Sequence, residues 1–392
     1  MVTKRRQNYA KRKKSYSTLG YLFVQSLPAT IAQFTGGKTI KLARRQAWQC
    51  MKIDIIDNGI LKKKMICMIK GMILIFLVCM QFGALAQLPA DKADTSFSTY
   101  SAYEKAVKKY PDIKVAEEVH SKDVNEQKDI LYCDAGRRKL LLDVFYPSSK
   151  EKSNGVAVII VHGGGWRSGS RAQHYPLAQK LTQLGYTCFT PEYRLSAEAL
   201  FPAGIVDIKA AVRWVRKNAK QYDIDSAKIV VIGFSAGGEI AAFIGATGNE
   251  IKFEGKDCNI EISSAVNAVA DIDGTLSFVH PESSEGNDSK KISAATQWFG
   301  VAKKDSLQLW EEASPLHHVN GNTPPTLFIN SSVAAMHAGR EDYIKVLHGN
   351  HIYSEVHSFD NAPHTFCLFH PWFEPTVNYI DSFLKKVFKI SP

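Results

Sequence analysis

The sequence is poor in three features, and each shortage argues against a class of protein. It has 7 cysteines among 392 residues, and their spacing fits no zinc motif. Its N-terminal apolar stretch runs unbroken only over residues 71–80, which is shorter than the ~20 residues that a spanning helix needs. A dinucleotide-binding loop is missing too, because Ser168 stands where G-x-G-x-x-G requires its third glycine. The sequence therefore indicates no zinc domain, no full-length spanning helix in the N-terminal apolar stretch and no dinucleotide-binding loop.

The formal net charge of +11 does not indicate nucleic-acid binding, because the excess is local. Residues 1–64 contain 15 Lys and Arg against only Asp54 and Asp57. The remaining residues contain 34 Lys and Arg against 36 Asp and Glu, so that part of the chain is close to neutral. We therefore expect no nucleic-acid partner.

The N-terminal region has the order of features of a signal peptide. Lys62–Lys64 precede the apolar stretch and Ala84-x-Ala86 follows it, so residues 65–86 are predicted to direct export, with cleavage after Ala86. Residues 1–64 are predicted to be a basic leader outside the native protein, read from an upstream start codon. A basic cytoplasmic arm on an uncleaved membrane anchor is the alternative. After cleavage the protein would be periplasmic or secreted, with no stable membrane association.

Apolar strands and amphipathic helices alternate through most of the remaining chain. "GVAVIIV" and "KIVVIGF" are continuous apolar runs, which are typical of parallel strands buried on both faces. The alternation predicts an α/β fold with a mostly parallel central sheet and helices on both faces. Residues 87–135 are predicted to be a polar N-terminal extension and residues 136–392 the main domain. Within it, residues from about 272 to 320 break the alternation and are a possible small lid.

The first motif that carries chemistry is "GFSAGG", residues 233–238, which contains G-x-S-x-G between an apolar strand and a helix-forming run. A sharp strand-to-helix turn exposes the serine, and Gly233 and Gly237 leave room for the strained backbone. The helix N-terminus would favour negative charge that develops at Ser235. This context predicts a nucleophile; the alternative is a glycine-rich turn that merely connects two elements.

The second motif is "HGGGW", residues 162–166, directly after the first buried strand. Consecutive glycines let backbone N–H groups approach a substrate closely, and such donors stabilise the oxyanion of acyl transfer. The predicted donors are the N–H groups of Gly164 and Gly165, together with that of Ala236. Trp166 is either an apolar or sugar-stacking wall of the site or a packing residue, and the same holds for Trp372.

Together the two motifs resemble those of the α/β-hydrolase superfamily, in the branch related to hormone-sensitive lipase and to secreted carbohydrate esterases. The resemblance covers roughly residues 140–389, with both motifs in the order and separation usual for the family. It implies ester hydrolysis through an acyl-enzyme, with no metal and no organic cofactor. It also implies a catalytic histidine in the loop after the last strand, where His364 stands in "DNAPHTF". His370 is the second choice.

The acid of a Ser-His-acid triad is harder to find in the sequence. The resemblance implies an Asp near Ala334, but the chain reads "NSSVAA" there. We select Asp342 as the acid, 22 residues before His364, because a longer loop would bring it onto the histidine. The alternatives are the neighbouring Glu341, an acid at the end of the preceding strand (Asp271 or Asp273), or a dyad without an acid. Glu341 and Asp342 are equally explained as the first turn of a helix, where acidic residues are favoured.

The predicted function is that of a serine esterase acting on short acyl or aryl esters of polysaccharide-derived substrates. Its partner would be a small-molecule or oligosaccharide ester. Two alternatives stay open: an exopeptidase-like serine hydrolase, or a catalytically impaired hydrolase that serves as a binding module. The sequence leaves the acyl group, the alcohol and the oligomeric state undetermined.

Overall fold

The computed structural model describes residues 96–136, 138–248 and 250–390. The predicted basic leader (1–64) and signal peptide (65–86) lie outside the described residues. In the described part of the chain, none of the helices combines the length and the apolarity needed to cross a membrane.

Most strands of the structure are the apolar runs of the sequence. The two runs quoted above form β4 (Ala157–Val161) and β6 (Ile229–Phe234), which are buried at every position. The strands are β1 (Lys114–Val115), β2 (Val124–Asp134), β3 (Lys139–Pro147), β4 (Ala157–Val161), β5 (Thr187–Pro191), β6 (Ile229–Phe234), β7 (Ala268–Ile272), β8 (Thr326–Asn330), β9 (Ser354–Ser358) and β10 (Phe369–His370).

Eight of these strands form one sheet in the order β2-β3-β5-β4-β6-β7-β8-β9. The pairs β2–β3 and β3–β5 are antiparallel, and every other neighbouring pair is parallel. Strands β1 and β10 form a separate two-stranded antiparallel sheet. Because β4, β6, β7, β8 and β9 run parallel, their carboxyl ends lie along one edge of the sheet. The predicted mostly parallel sheet is confirmed.

Helices cover both faces of the sheet. They are α1 (Thr99–Ala106), α2 (Tyr175–Gln183), α3 (Ala203–Lys217), α4 (Ala236–Ala246), α5 (Ala294–Phe299), α6 (Leu307–Glu312), α7 (Pro315–His318), α8 (Arg340–Gly349) and α9 (Phe373–Phe388). Alternate side chains of β4 enter opposite cores: Ile159 packs in the core under α3 and α4, and Ile160 in the core under α2 and α9. This alternation follows from the two-residue period of a strand.

Two segments differ from the sequence-based boundaries. Strand β2 lies within the predicted extension 87–135, yet it pairs with β3 as an edge strand of the main sheet, so no boundary falls at residue 135. The Cys133–Cys258 disulfide joins this strand to the loop after α4. The segment between β7 and β8, which includes the possible lid, carries α5, α6 and α7 and buries Trp298 and Trp310 completely or nearly so. That segment is therefore packed into the core beneath it.

Candidate active site

Ser235 stands at the turn between β6 and α4. Its backbone has φ 57° and ψ −120°, a strained conformation for a residue with a side chain. The turn is possible because two glycines lie against backbone: a Cβ on Gly237 would be 2.2 Å from the carbonyl oxygen of Val161, and one on Gly233 would be 2.0 Å from that of Gly237. The sequence "GFSAGG" therefore forms the predicted sharp strand-to-helix turn, with Ser235 at its apex.

His364 lies in the loop after β9 and reaches the serine. Its Nε2 is 2.8 Å from Oγ of Ser235, and its ring packs against Phe234, with 4.9 Å between ring centroids. The side chain is partly exposed. The structure thus brings together the two residues that the sequence selects as nucleophile and base.

The other ring nitrogen of this histidine, Nδ1, is hydrogen-bonded to the carboxylate of Asp273. Its Oδ2 is 2.8 Å from Nδ1 of His364. Asp273 directly follows β7, takes a positive φ of 56°, and donates its backbone N–H to the carbonyl of Ile329 on β8. Ser235, His364 and Asp273 therefore form one hydrogen-bonded chain, with the geometry of a nucleophile, a base and an orienting acid.

Asp273 is 1% exposed and held by several donors. Ser331 donates both its backbone N–H and its hydroxyl to this carboxylate, and Nδ1 of His337 is 3.4 Å from Oδ1. Burial acts to raise the pKa of Asp273, but hydrogen bonds from His337 and His364 and the charge of His364 outweigh it. Together they lower the pKa to about 2. Asp273 is thus ionised at neutral pH, with one carboxylate oxygen on Nδ1 of His364.

The selection of Asp342 as the partner of the histidine is wrong. Asp342 lies in the first turn of α8 with its side chain 45% exposed, where it accepts a hydrogen bond from Lys345 at 2.7 Å. Glu341 pairs with Arg340 on the same surface. The reason is the helix itself: α8 starts at Arg340 and directs both carboxylates outward, as the first-turn explanation expected.

Asp271, the other acid on β7, does not contact the histidine either. Its Oδ1 accepts a hydrogen bond from the N–H of Gly274 at 2.7 Å, and a Cβ on Gly238 of α4 would be 2.4 Å from that oxygen. Burial raises the pKa of Asp271 well above its usual range, and the nearby charge of Asp273 adds to the effect. Asp271 therefore lies beneath α4, and among the alternatives only Asp273 reaches His364.

The glycines of "HGGGW" form a tight turn after β4. The carbonyl of Gly164 accepts from both the N–H and the hydroxyl of Ser168, and Gly164 and Gly165 have positive φ values of 131° and 61°. The N–H of Gly163 is already bonded to Gln173 at 2.8 Å. Ala236 is the first residue of α4, where an N–H has no partner within the helix. These features suit Gly164, Gly165 and Ala236 to the predicted role of oxyanion donors.

The two tryptophans that the sequence left open are packed. Trp166 is 4% exposed and stacks on Trp298, with ring centroids 4.9 Å apart and planes 7° from parallel. Trp372 meets Tyr110 edge to face at 5.5 Å in the opposite core. For Trp166 the packing explanation therefore replaces that of a substrate wall, since its ring is enclosed by other aromatic side chains.

Ser331 and His337 contact the acid, but sequence reasoning did not single out either residue. Ser331 directly follows β8, and His337 ends a short 3₁₀ turn, Ala334–His337. The only sequence signal was that both lie in the stretch where the resemblance implies an acid. Their contacts with Asp273 depend on the pairing of β7 with β8, which brings together residues that are far apart in the chain.

Comparison with known proteins agrees with this geometry. Residues 142–335 match the family model described as BD-FAE. Over 213 residues the chain is 30% identical to esterase LipQ of Mycobacterium tuberculosis, covering 53% of this chain and 48% of that protein. Esterase LipC of the same organism is 30% identical over 54% of this chain and 52% of its own. The chain thus spans about half the length of these curated relatives.

Solved structures share the fold. A truncated form of a carbohydrate esterase from gut microbiota aligns with a TM-score of 0.57 and 23% identity, over 69% of this chain and 100% of that one. The thermophilic esterase Est2 of Thermogutta terrifontis, with butyrate bound, aligns with a TM-score of 0.56 and 22% identity, over 69% of this chain and 96% of that one. Sheet order, motif order and these matches lead to one assignment. The chain has the α/β-hydrolase fold, and over about half of its length it is similar to the BD-FAE family model and to curated esterases.

Proposed function

We propose that the protein hydrolyses carboxylic esters through an acyl-enzyme formed on Ser235. The observation that carries the proposal is the hydrogen-bonded chain of Ser235, His364 and Asp273 at the carboxyl edge of the sheet. In the first step Oγ of Ser235 attacks the ester carbonyl while Nε2 of His364 takes the hydroxyl proton. His364 then gives that proton to the leaving alkoxide as its bond to the carbonyl carbon breaks, which releases the alcohol and leaves the acyl group on Ser235.

Each remaining group has a defined part in the two half-reactions. The ionised Asp273 holds His364 in the tautomer whose Nε2 accepts a proton, and it stabilises the imidazolium. The N–H groups of Gly164, Gly165 and Ala236 stabilise the tetrahedral oxyanion, and losing one such donor typically costs about 3 kcal/mol of barrier. In the second half-reaction His364 activates a water molecule that attacks the acyl-enzyme, which frees the acid and restores Ser235.

The substrate class that we propose is short acyl or aryl esters on polysaccharide-derived molecules. Support comes from the predicted export and from the structural likeness to a carbohydrate esterase. Export is itself a proposal: it rests on Lys62–Lys64, the apolar stretch and Ala84-x-Ala86, and a Cys133–Cys258 disulfide is typical of oxidising compartments. The alternative of a catalytically impaired binding module depends on the absence of an acid near Ala334. Because Asp273 supplies an acid to His364, that alternative has no support from the site.

Hydrolysis of p-nitrophenyl acetate by the purified protein tests the activity. We expect Ser235-dependent turnover and a loss of at least about 10³-fold in Ser235→Ala, with the fold preserved by circular dichroism. Equal, slow rates for the wild type and Ser235→Ala would reject the esterase.

The substrate class is tested separately with a matched panel of esters. Acetylated, methyl-esterified and feruloylated oligosaccharides are compared with p-nitrophenyl butyrate and tributyrin, and kcat/KM is measured for each. We expect at least one oligosaccharide ester to exceed both simple esters. A preference for tributyrin would reject the carbohydrate assignment and leave the esterase activity standing.

A further inference from the structure

The proposed oxyanion donors come from two separate parts of the fold. Gly164 and Gly165 belong to the turn after β4, and Ala236 begins α4 after β6. Donors of this kind act only when they lie about 2.7–3.1 Å from one oxygen position, so the two parts must hold a constant relative position. The strands behind the two parts and the close packing of Gly237 against Val161 bring them together. A side-chain bond between the two parts would restrict their relative position further.

One side-chain bond joins these two parts directly. Nε1 of Trp166 donates to Oε2 of Glu239 at 2.9 Å. Trp166 follows Gly165 in the turn, and Glu239 lies three residues after Ala236, within the first turn or so of α4. Both side chains are buried, so the bond is shielded from competing water.

The conformation of Trp166 is restricted by its surroundings as well as by this bond. Its backbone φ is 58°, a conformation that is unfavourable for a bulky residue. Its indole ring lies between Trp298, at 4.9 Å, and Phe278, at 5.4 Å between ring centroids. The ring is therefore held by these two aromatic side chains as well as by its bond to Glu239.

A glutamate is an unfavourable residue at a position that serves only for packing, because burying its carboxyl group costs free energy. Its side chain is fully buried, and Oε1 has no hydrogen-bond partner among the described residues. Burial raises the pKa of Glu239 well above its usual range, the bond from Trp166 opposes that rise, and Asp271 adds to it. A protonated carboxyl still accepts through its carbonyl oxygen. The contact therefore needs an acceptor at this position and does not need a charge.

From this geometry we infer that Glu239 is a positioning residue that aligns the "HGGGW" turn with α4, so that both sets of oxyanion donors point at one oxygen. The inference rests on the proposed esterase function. It predicts that Gln, which keeps an acceptor of the same shape, serves in place of Glu239, whereas Leu does not.

The test compares Glu239→Gln, Glu239→Leu and Trp166→Phe with the wild type. For Glu239→Leu and Trp166→Phe we expect kcat on p-nitrophenyl acetate to fall about 10- to 100-fold, less than the 10²–10³-fold typical of losing a donor outright, with KM within about threefold. For Glu239→Gln we expect kcat within about threefold of wild type. The inhibition constant of a trifluoromethyl ketone, whose adduct carries an oxyanion, should rise in parallel with the loss of kcat.

A second readout follows the bond itself. The indole N–H resonance of Trp166, assigned by its absence in Trp166→Phe, should shift in Glu239→Leu and stay near its wild-type position in Glu239→Gln. Trp298→Phe is the matched control, since it perturbs the same aromatic cluster and keeps the bond; its kcat should stay within about threefold. If Glu239→Leu does not fold, Trp166→Phe and Glu239→Gln decide the question.

Two results would overturn the inference in different ways. If the indole resonance shifts while kcat and the ketone inhibition constant stay within twofold, the bond exists but does not align the donors. If Glu239→Gln loses as much kcat as Glu239→Leu, the acceptor is not what matters. Absence of Ser235-dependent hydrolysis in the wild type would instead reject the proposed function, and this inference with it.

Discussion

The ends of strands β7 and β8 lie side by side, and each presents polar residues toward His364. After β7 stands Asp273, which binds the histidine; after β8 stands Ser331, which donates to Asp273. The two strands are in parallel register, with Ile272 opposite Ile329. A carboxylate placed directly after either strand would therefore lie in the same region, next to His364. In this protein the end of β7 supplies the carboxylate and the end of β8 supports it with two donors. The comparison predicts that a carboxylate at the end of β8 would reach the same histidine.

The strongest test of this comparison removes each acid in turn. We expect Asp273→Asn to lower kcat about 10³- to 10⁴-fold, because the amide favours the wrong tautomer of His364. Asp342→Asn is the matched control and should leave kcat within twofold, since Asp342 contacts Lys345 on the surface. Steady-state hydrolysis of p-nitrophenyl acetate decides between them, and a large loss in Asp342→Asn alone would reverse the assignment.

Exchanging the two residues tests whether the strands are interchangeable. Asp273→Ser should be as slow as Asp273→Asn, and adding Ser331→Asp should recover about tenfold or more of kcat, because the carboxylate returns to the same region from β8. The measurement is kcat of the single and double variants at one pH. No recovery in a folded double variant would show that the positive-φ backbone at residue 273 is required to direct the carboxylate.

A smaller effect is expected from the hydroxyl that supports the acid. Ser331→Ala removes a donor from a buried carboxylate, and we expect the free energy of unfolding to fall by about 2 kcal/mol. Ser332→Ala is the matched control, because the hydroxyl of Ser332 bonds the carbonyl of Ala362 at 3.0 Å on an exposed residue and does not touch Asp273. Urea unfolding, monitored by tryptophan fluorescence, measures the free energy of unfolding of both variants. If both variants lose the same free energy, Ser331 does not support Asp273.

The smallest expected effect is a pH dependence of stability. The pKa of Asp273 is about 2 in the folded protein, below its ordinary value of 3.8. A lowered pKa stabilises the fold above pH 4, and the stabilisation is lost as the pH falls through 2. The difference in unfolding free energy between wild type and Asp273→Asn should therefore shrink by about 1 kcal/mol from pH 6 to pH 3. A gap that stays constant over this range would show that Asp273 is not ionised with a lowered pKa.

Much of the site could be predicted from the sequence because its signals are local. The turn at Ser235 is encoded within six residues, and the glycine turn within five. His364 was selected because the resemblance implies a catalytic histidine in the loop after the last strand. Asp273 was only one of several alternatives, because its contact with His364 spans 91 residues. Counting residues along the chain selected Asp342, since sequence distance does not reveal that α8 begins at Arg340 and turns the carboxylate outward.

The sequence by itself determined the alternation of buried strands and helices, the nucleophile turn and the position of the histidine. These depend on apolar periodicity and on glycines that tolerate close backbone approach, and both are properties of neighbouring residues. Only the tertiary structure decided which carboxylate meets His364 and that β2 belongs to the main sheet. It also decided that Trp166 is packed against Trp298 and bonded to Glu239. Each of those outcomes depends on which elements become neighbours in space, and the pairing of strands and the packing of helices determine that across the whole chain.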